Sequence, residues 1–141
     1  MSVYEVSCDL DRIDVSMVHA FLRESYWAEG RSRETVERSI RNSLCFGVYA
    51  AGKQIAFARV ITDRAVFAYL ADVFVLPDFR GRGVAKLLMR TILAHPDLQT
   101  LRAFTLGTRD AHGLYAQFGF APVTEPQRLM ARYGNEIDRS P

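Results

Sequence analysis

The stretch from Val73 to Ile92, V-F-V-L-P-D-F-R-G-R-G-V-A-K-L-L-M-R-T-I, constrains this chain more than any other. The apolar run Val66–Leu76 has the composition of a buried strand and stops at Pro77. From Val84 the period changes. Val84, Leu87, Leu88, Thr91 and Ile92 fall at i, i+3, i+4, i+7 and i+8, one face of an α-helix. Between the two lies Arg80-Gly81-Arg82-Gly83, where the glycines permit positive φ and close approach of another group. The helix then starts with its free N–H groups and positive dipole end aimed at the turn, an arrangement that suits a phosphate. A tight turn with no ligand accounts for the same residues, and the stretch by itself leaves both readings open.

The remainder of the chain limits the context. At 141 residues and 49% hydrophobic, it is read as a single domain, 1–141, with a core over about 3–133 and a polar tail over 134–141. With 18 basic against 16 acidic residues, it lacks the basic excess of a nucleic-acid binder. Cys8 and Cys45 lie far apart without metal-ligand spacing. They are expected to be reduced core residues of a cytoplasmic protein, with one disulfide as the alternative. The start M-S-V-Y-E-V-S-C-D-L shows no basic segment followed by an apolar one, and no apolar run reaches the ~20 residues of a membrane span.

Taken in order, Val3–Cys8 alternates as a strand, and Asp14 can cap a helix bearing Val15, Val18, Phe21 and Leu22 that runs out near Tyr26–Gly30. Ser32 can cap a second helix with Val36, Ile40 and Leu44 on one face. Its exposed side offers the pairs Glu34–Arg38 and Glu37–Arg41. Cys45–Ala50, Gln54–Ile61 and Val66–Leu76 then read as a three-stranded antiparallel meander joined at Ala51-Gly52-Lys53 and Thr62-Asp63-Arg64. After the helix ending near His95-Pro96, Leu101–Leu106 is a strand parallel to, or neighbouring, the long one. Asp110–Phe118 is a short helix capped by Asp110 and stopped at Gly119, and Phe120–Val123 and Leu129–Tyr133 are expected as final strands. The fold class is α/β with a mixed, mostly antiparallel sheet.

The Gly-rich turn is not a P-loop, because G-x-x-x-x-G-K-[ST] is missing. It is not a dinucleotide fingerprint either, because Lys86 stands where the third glycine belongs. Arg80-Gly81-Arg82-Gly83-Val84-Ala85, placed after V-F-V-L-P, resembles the acyl-CoA pyrophosphate loop of the GNAT superfamily of N-acetyltransferases. Leu114-Tyr115-Ala116-Gln117-Phe118-Gly119-Phe120 matches the L-Y-x-x-x-G-F segment of that superfamily, about 30 residues further on, and the element order over residues 3–133 resembles the whole GNAT fold.

That resemblance implies acetyl-CoA as co-substrate and no metal. Its pyrophosphate would lie on the amides of Gly81, Arg82, Gly83, Val84, Ala85 and Lys86, following Arg80, and its pantetheine arm on the backbone of Val73, Phe74 and Val75. Tyr115 would be the acid that protonates the departing thiolate; without the resemblance it reads as a core tyrosine. Asp72 is the one charge in Val66–Leu76, a run expected to be buried on both faces. It is either a base or ammonium anchor beside the thioester, or a structural carboxylate bonded to backbone. Where many relatives carry an acidic pair, this chain has Ala71-Asp72, which argues against a polyamine acceptor. Tyr69 stands where histone-type members carry a glutamate base, and Thr108 where many relatives have asparagine. Tyr26, Trp27, Tyr69 and His112 are the candidate acceptor contacts. Arg31 and Arg33 are placed to meet an acidic acceptor, and Arg59 faces either the cleft or solvent. The expected activity is acetyl transfer to the primary amine of a small molecule, by a protein that binds neither nucleic acid nor membrane. Dimers are common in that superfamily, which makes a homodimer one candidate assembly, and the sequence leaves the oligomeric state open. The alternatives are an acyl-CoA sensor without turnover and a protein or peptide N-acetyltransferase.

Overall fold

A computed structural model describes residues 3–134. Chain contacts divide the molecule into two compact units, Met1–Leu106 and Gly107–Pro141.

The first unit carries a five-stranded sheet in the order β1 (Tyr4–Ser7), β2 (Leu44–Ala50), β3 (Lys53–Thr62), β4 (Phe67–Val75) and β5 (Ala103–Leu106). All neighbours are antiparallel except β4 and β5, which run parallel. The two-residue hairpin between β2 and β3 has positive φ at both Ala51 and Gly52, the combination that matches strand twist. Helix α1 (Val15–Leu22) begins where the Asp14 carboxylate accepts from the Met17 N–H at 3.0 Å, and α2 (Arg33–Arg41) where Ser32 Oγ accepts from the Thr35 N–H at 3.1 Å. Both caps stand at the residues the sequence nominates. Helix α1 is shorter than its periodicity suggests: it ends at Leu22, and the chain crosses to α2 through tight turns. Arg38 pairs with Glu34 as expected, while Glu37 is bonded to Arg33, one turn before it, instead of to Arg41, one turn after it.

Two apolar layers sandwich the sheet. Val18, Leu22, Val36 and Ile40 from α1 and α2 pack with Cys45, Phe57 and Phe74 on one side. Helix α3 (Val84–Leu93) lies across β1 to β4 with Val84, Leu88, Met89 and Ile92 buried, and His95 just beyond it meets the Phe46 ring edge-on. The run Val66–Leu76 is not buried on both faces. Phe67 and Tyr69 are exposed and Ala68 and Leu70 buried, so the first half of β4 alternates as a half-covered strand does. Both cysteines are free; Cys45 is buried as expected, but Cys8 is only half-buried.

In the second unit, α4 is only His112–Ala116. Its N-cap is Ala111, not Asp110, and the Ala111 N–H donates to Thr108 Oγ1 at 3.0 Å. Phe120–Val123 and Leu129–Tyr133 are not strands: the described chain after α4 has one helical turn, Pro126–Arg128, and residues 121–134 are exposed. Pro122 and Pro126 remove two donors from this short stretch, which disfavours a ladder there. No described helix is long and apolar enough to cross a membrane.

Candidate functional site

The site is built on an irregularity in β4. Phe57 pairs with Phe74 and Arg59 with Ala71, so one residue of β3 opposes both Asp72 and Val73. This is a β-bulge, and Asp72 takes it up with φ 54. Aspartate tolerates that left-handed conformation better than most residues. The bulge turns the Asp72 side chain into the space under the α1–α2 crossing, where it is 2% exposed.

Three donors converge on this carboxylate. Trp27 Nε1 donates to Oδ1 at 3.0 Å; Arg31 Nη1 and Arg59 Nε both donate to Oδ2 at 2.9 Å. Arg59 also donates to Ser43 Oγ at 3.2 Å. A buried carboxylate without such partners would be costly, so the cluster explains how Asp72 is tolerated in β4. Side-chain donors thus take the place of the backbone bonding expected of a structural carboxylate here. Arg59 faces this cluster, not bulk solvent.

The loop that delivers Trp27 and Arg31 is itself tied down. Ser25 Oγ donates to the Leu22 carbonyl and accepts from the Ala28 N–H; the Arg31 N–H donates to the Ala28 carbonyl at 3.0 Å; and His19 Nε2 meets the Arg31 carbonyl at 3.1 Å. Tyr26 packs edge-on against Trp27, ring centroids 5.1 Å apart, and both stay partly exposed at the rim. Below them Phe21 stacks on Phe74 with centroids 4.0 Å apart, fixing the bulge against α1. Arg33, by contrast, is bonded to Ser16 and Glu37 at the surface, outside this cluster.

The second component is the edge of β4. Its parallel pairing with β5 runs only from Phe67–Ala103 to Leu70–Leu106. Among the described residues, β4 from Ala71 to Val75 therefore has a strand on its β3 side and none continuing on the other. The Val75 carbonyl accepts from Arg80 Nε at 2.9 Å, so Arg80 folds back to close the strand end.

Directly beyond lies the Gly-rich turn. Gly81 and Gly83 have φ 76 and 79, and a Cβ at either would meet nothing within 4 Å. Backbone conformation, not crowding within the chain, is what requires glycine there. Gly83 is the N-cap of α3 and offers no capping side chain. The first amides of α3 thus face open space with the positive end of the helix behind them, a cradle suited to a diphosphate. Arg82 lies over the Phe79 ring at 5.5 Å, and Lys86 is exposed on the first turn of the helix.

The remaining candidates are described each within its own unit. Tyr69 is exposed on β4 opposite Ile61, and His112 is exposed at the start of α4. Tyr115 is buried in α4, with the Phe120 ring edge-on at 6.1 Å and its carbonyl accepting from the Phe118 and Phe120 N–H groups. Burial pushes the Cys45 thiol up to about 12, so it is no nucleophile at neutral pH. Among the described residues, no three His, Cys, Asp or Glu side chains gather as a metal site.

The sequence places the Gly-rich turn between strand and helix, but it gives Arg31 to an acidic acceptor and leaves Arg59 between cleft and solvent; that both meet Asp72, at a bulge in β4, was missed. The usable signal was the solitary Asp72 opposite a strand that also carries one arginine.

Residues 41–122 match the family model of the acetyltransferase (GNAT) domain. The crystal structure of a protein provisionally assigned to the GNAT acetyltransferases, from Xanthomonas campestris pv. campestris, is 52% identical and superposes with a TM-score of 0.92 over 95% of each chain. A Gibberella zeae protein provisionally named an acetyltransferase is 27% identical over 126 residues, spanning 72% of this chain and 71% of that one. The uncharacterized N-acetyltransferase ycf52 of Gracilaria tenuistipitata var. liui is 35% identical over 82 residues, 56% of this chain and 43% of that protein.

Proposed function

We propose that this chain, which belongs to the GNAT acetyltransferase family, carries an acetyl group from acetyl-CoA to the primary amine of a small molecule by direct attack. One observation carries the donor half of the reading. The half-paired end of β4 leads straight into two open, positive-φ glycines and an uncapped helix N-terminus. A long ligand with amides at one end and a diphosphate at the other matches both parts. The β4 backbone around Val73–Val75 would hold the amide-bearing arm, and the amides from Gly81 to Lys86 the diphosphate. Acetyl-CoA supplies an activated acyl thioester when bound there.

The chain's own residues do the rest. A backbone N–H near Phe74 or Val75 polarises the thioester carbonyl. Tyr115 gives its phenolic proton to the departing thiolate, a role resting on its place in the L-Y-x-x-x-G-F segment. Asp72 takes a different part from the base expected of it. With both oxygens already accepting from Trp27, Arg31 and Arg59, it positions those groups, and the acceptor's proton leaves to water at the rim. Tyr26 and Trp27 form the acceptor wall.

Substitution of Tyr115 by Phe tests this assignment. The variant is expected to bind acetyl-CoA as the wild type does and to lose roughly 10²–10⁴-fold in kcat. A kcat left intact removes Tyr115 from the mechanism.

A further inference from the structure

Among the described residues, the cluster under the α1–α2 crossing is not charge-balanced: Arg31 and Arg59 share the single carboxylate of Asp72. The two arginines are not equivalent. Arg59 is 11% exposed and divides its donors between Asp72 and Ser43. Arg31 is 24% exposed and commits only Nη1 to the cluster. Its Nε and Nη2 have no acceptor among the described residues, and its backbone is held by the Ala28 carbonyl and His19. A guanidinium so fixed leaves two parallel donors of the fork uncommitted on a partly exposed side chain, in the same loop as the partly exposed Tyr26 and Trp27.

We propose that Arg31 is the specificity determinant for an acceptor amine that also carries a carboxylate, an amino acid or a close relative of one. The inference rests on the acetyl-transfer reading and deepens it. A carboxylate on Arg31 neutralises the surplus positive charge and fills the open half of the fork, while the rest of the acceptor lies against the Trp27 and Tyr26 rings. The same surplus charge repels acceptors that carry only amines, so polyamines are disfavoured. Asp72 acts through Arg31 as a positioning residue: it fixes the fork's orientation and uses the one nitrogen that the ligand does not need.

The test compares phenylalanine with phenethylamine, glutamate with 4-aminobutylamine, and 2-aminoethylphosphonate as a phosphonate-bearing amine, by thiol release from acetyl-CoA. Wild type is expected to favour the carboxylate member of a pair at least tenfold in kcat/KM. In Arg31→Gln that ratio is expected to fall to about one, through KM more than kcat, and Arg31→Lys to recover part of it. Equal or better turnover of the amine lacking a carboxylate, or a ratio that survives in Arg31→Gln, overturns the proposal; so does preference for the phosphonate. If no amine in the panel is acetylated, the transfer reading fails instead. Thermal shifts with the same compounds in the presence of coenzyme A then decide the matter: stabilisation by carboxylates that is lost in Arg31→Gln supports the site, and none overturns it. A melting curve of each variant without ligand separates misfolding from lost recognition.

Discussion

Asp72 sits at φ 54 inside a strand, with two guanidinium groups and an indole N–H on its carboxylate. Removing its charge strands Arg31 and Arg59, of which Arg59 is the more buried. Asp72→Asn, which retains the shape and tolerates the backbone, is expected to lower unfolding free energy in urea by about 3 kcal/mol. A loss confined to kcat at unchanged stability would instead make Asp72 a base. Gly47 matters through space. A Cβ there would lie 2.6 Å from the Tyr49 hydroxyl, which itself donates to the Arg12 carbonyl at 2.9 Å. Gly47→Ala is therefore expected to cost about 1–3 kcal/mol by overpacking. Desolvation raises the Cys45 thiol from 9.0 to about 12. Its folded value lies above its unfolded one, so its contribution is whole below pH 9 and is lost as pH rises through about 12. The urea midpoint should fall over that range, and less steeply in Cys45→Ala. The sequence exposed the oddness of Asp72, a lone charge in an apolar run. It could not name the partners, because they lie 45, 41 and 13 residues away.

The loop between β4 and α3 works as a unit: Arg80 closes the strand end, Gly81 and Gly83 turn the chain, and α3 starts without a cap. Gly83→Val is expected to cost stability modestly, since it places a branched side chain at φ 79. The same side chain occupies the open space before the helix. Its Kd for acetyl-CoA, read by calorimetry, should therefore rise at least tenfold; an unchanged Kd would mean that the diphosphate lies elsewhere. This loop was legible because glycine spacing and the switch from strand to helical period are local signals. So were the Asp14 and Ser32 caps. The strands expected at Phe120–Val123 and Leu129–Tyr133 were not, because a strand exists only if another strand accepts its hydrogen bonds, and alternation in one segment does not reveal a partner. Their side chains bear this out: Met130 is 94% exposed. The bulge was equally hidden, since it comes from register between β3 and β4 and leaves no mark in β4's composition.

At the scale of the whole molecule, a ligand that binds only the folded chain stabilises it by mass action. Acetyl-CoA at about 100 times its Kd should add roughly 2.7 kcal/mol to unfolding free energy, read as a concentration-dependent rise in Tm. Fold class was legible at this scale because the order of elements and two separated motifs agree with one another; the acceptor was not, because the site proposed for it draws on α1, the loop before α2, β3 and the β4 bulge, which are far apart in sequence. The central claim is acetyl transfer to an amine, and the most direct measurement is thiol release from acetyl-CoA by the wild-type protein, with and without a panel of primary amines, with the amine products weighed by mass spectrometry. Thiol release that depends on an amine, matched by an equal amount of N-acetylated product, is the predicted result. Tight binding of acetyl-CoA with no amine-dependent thiol release and no acetylated product would contradict it.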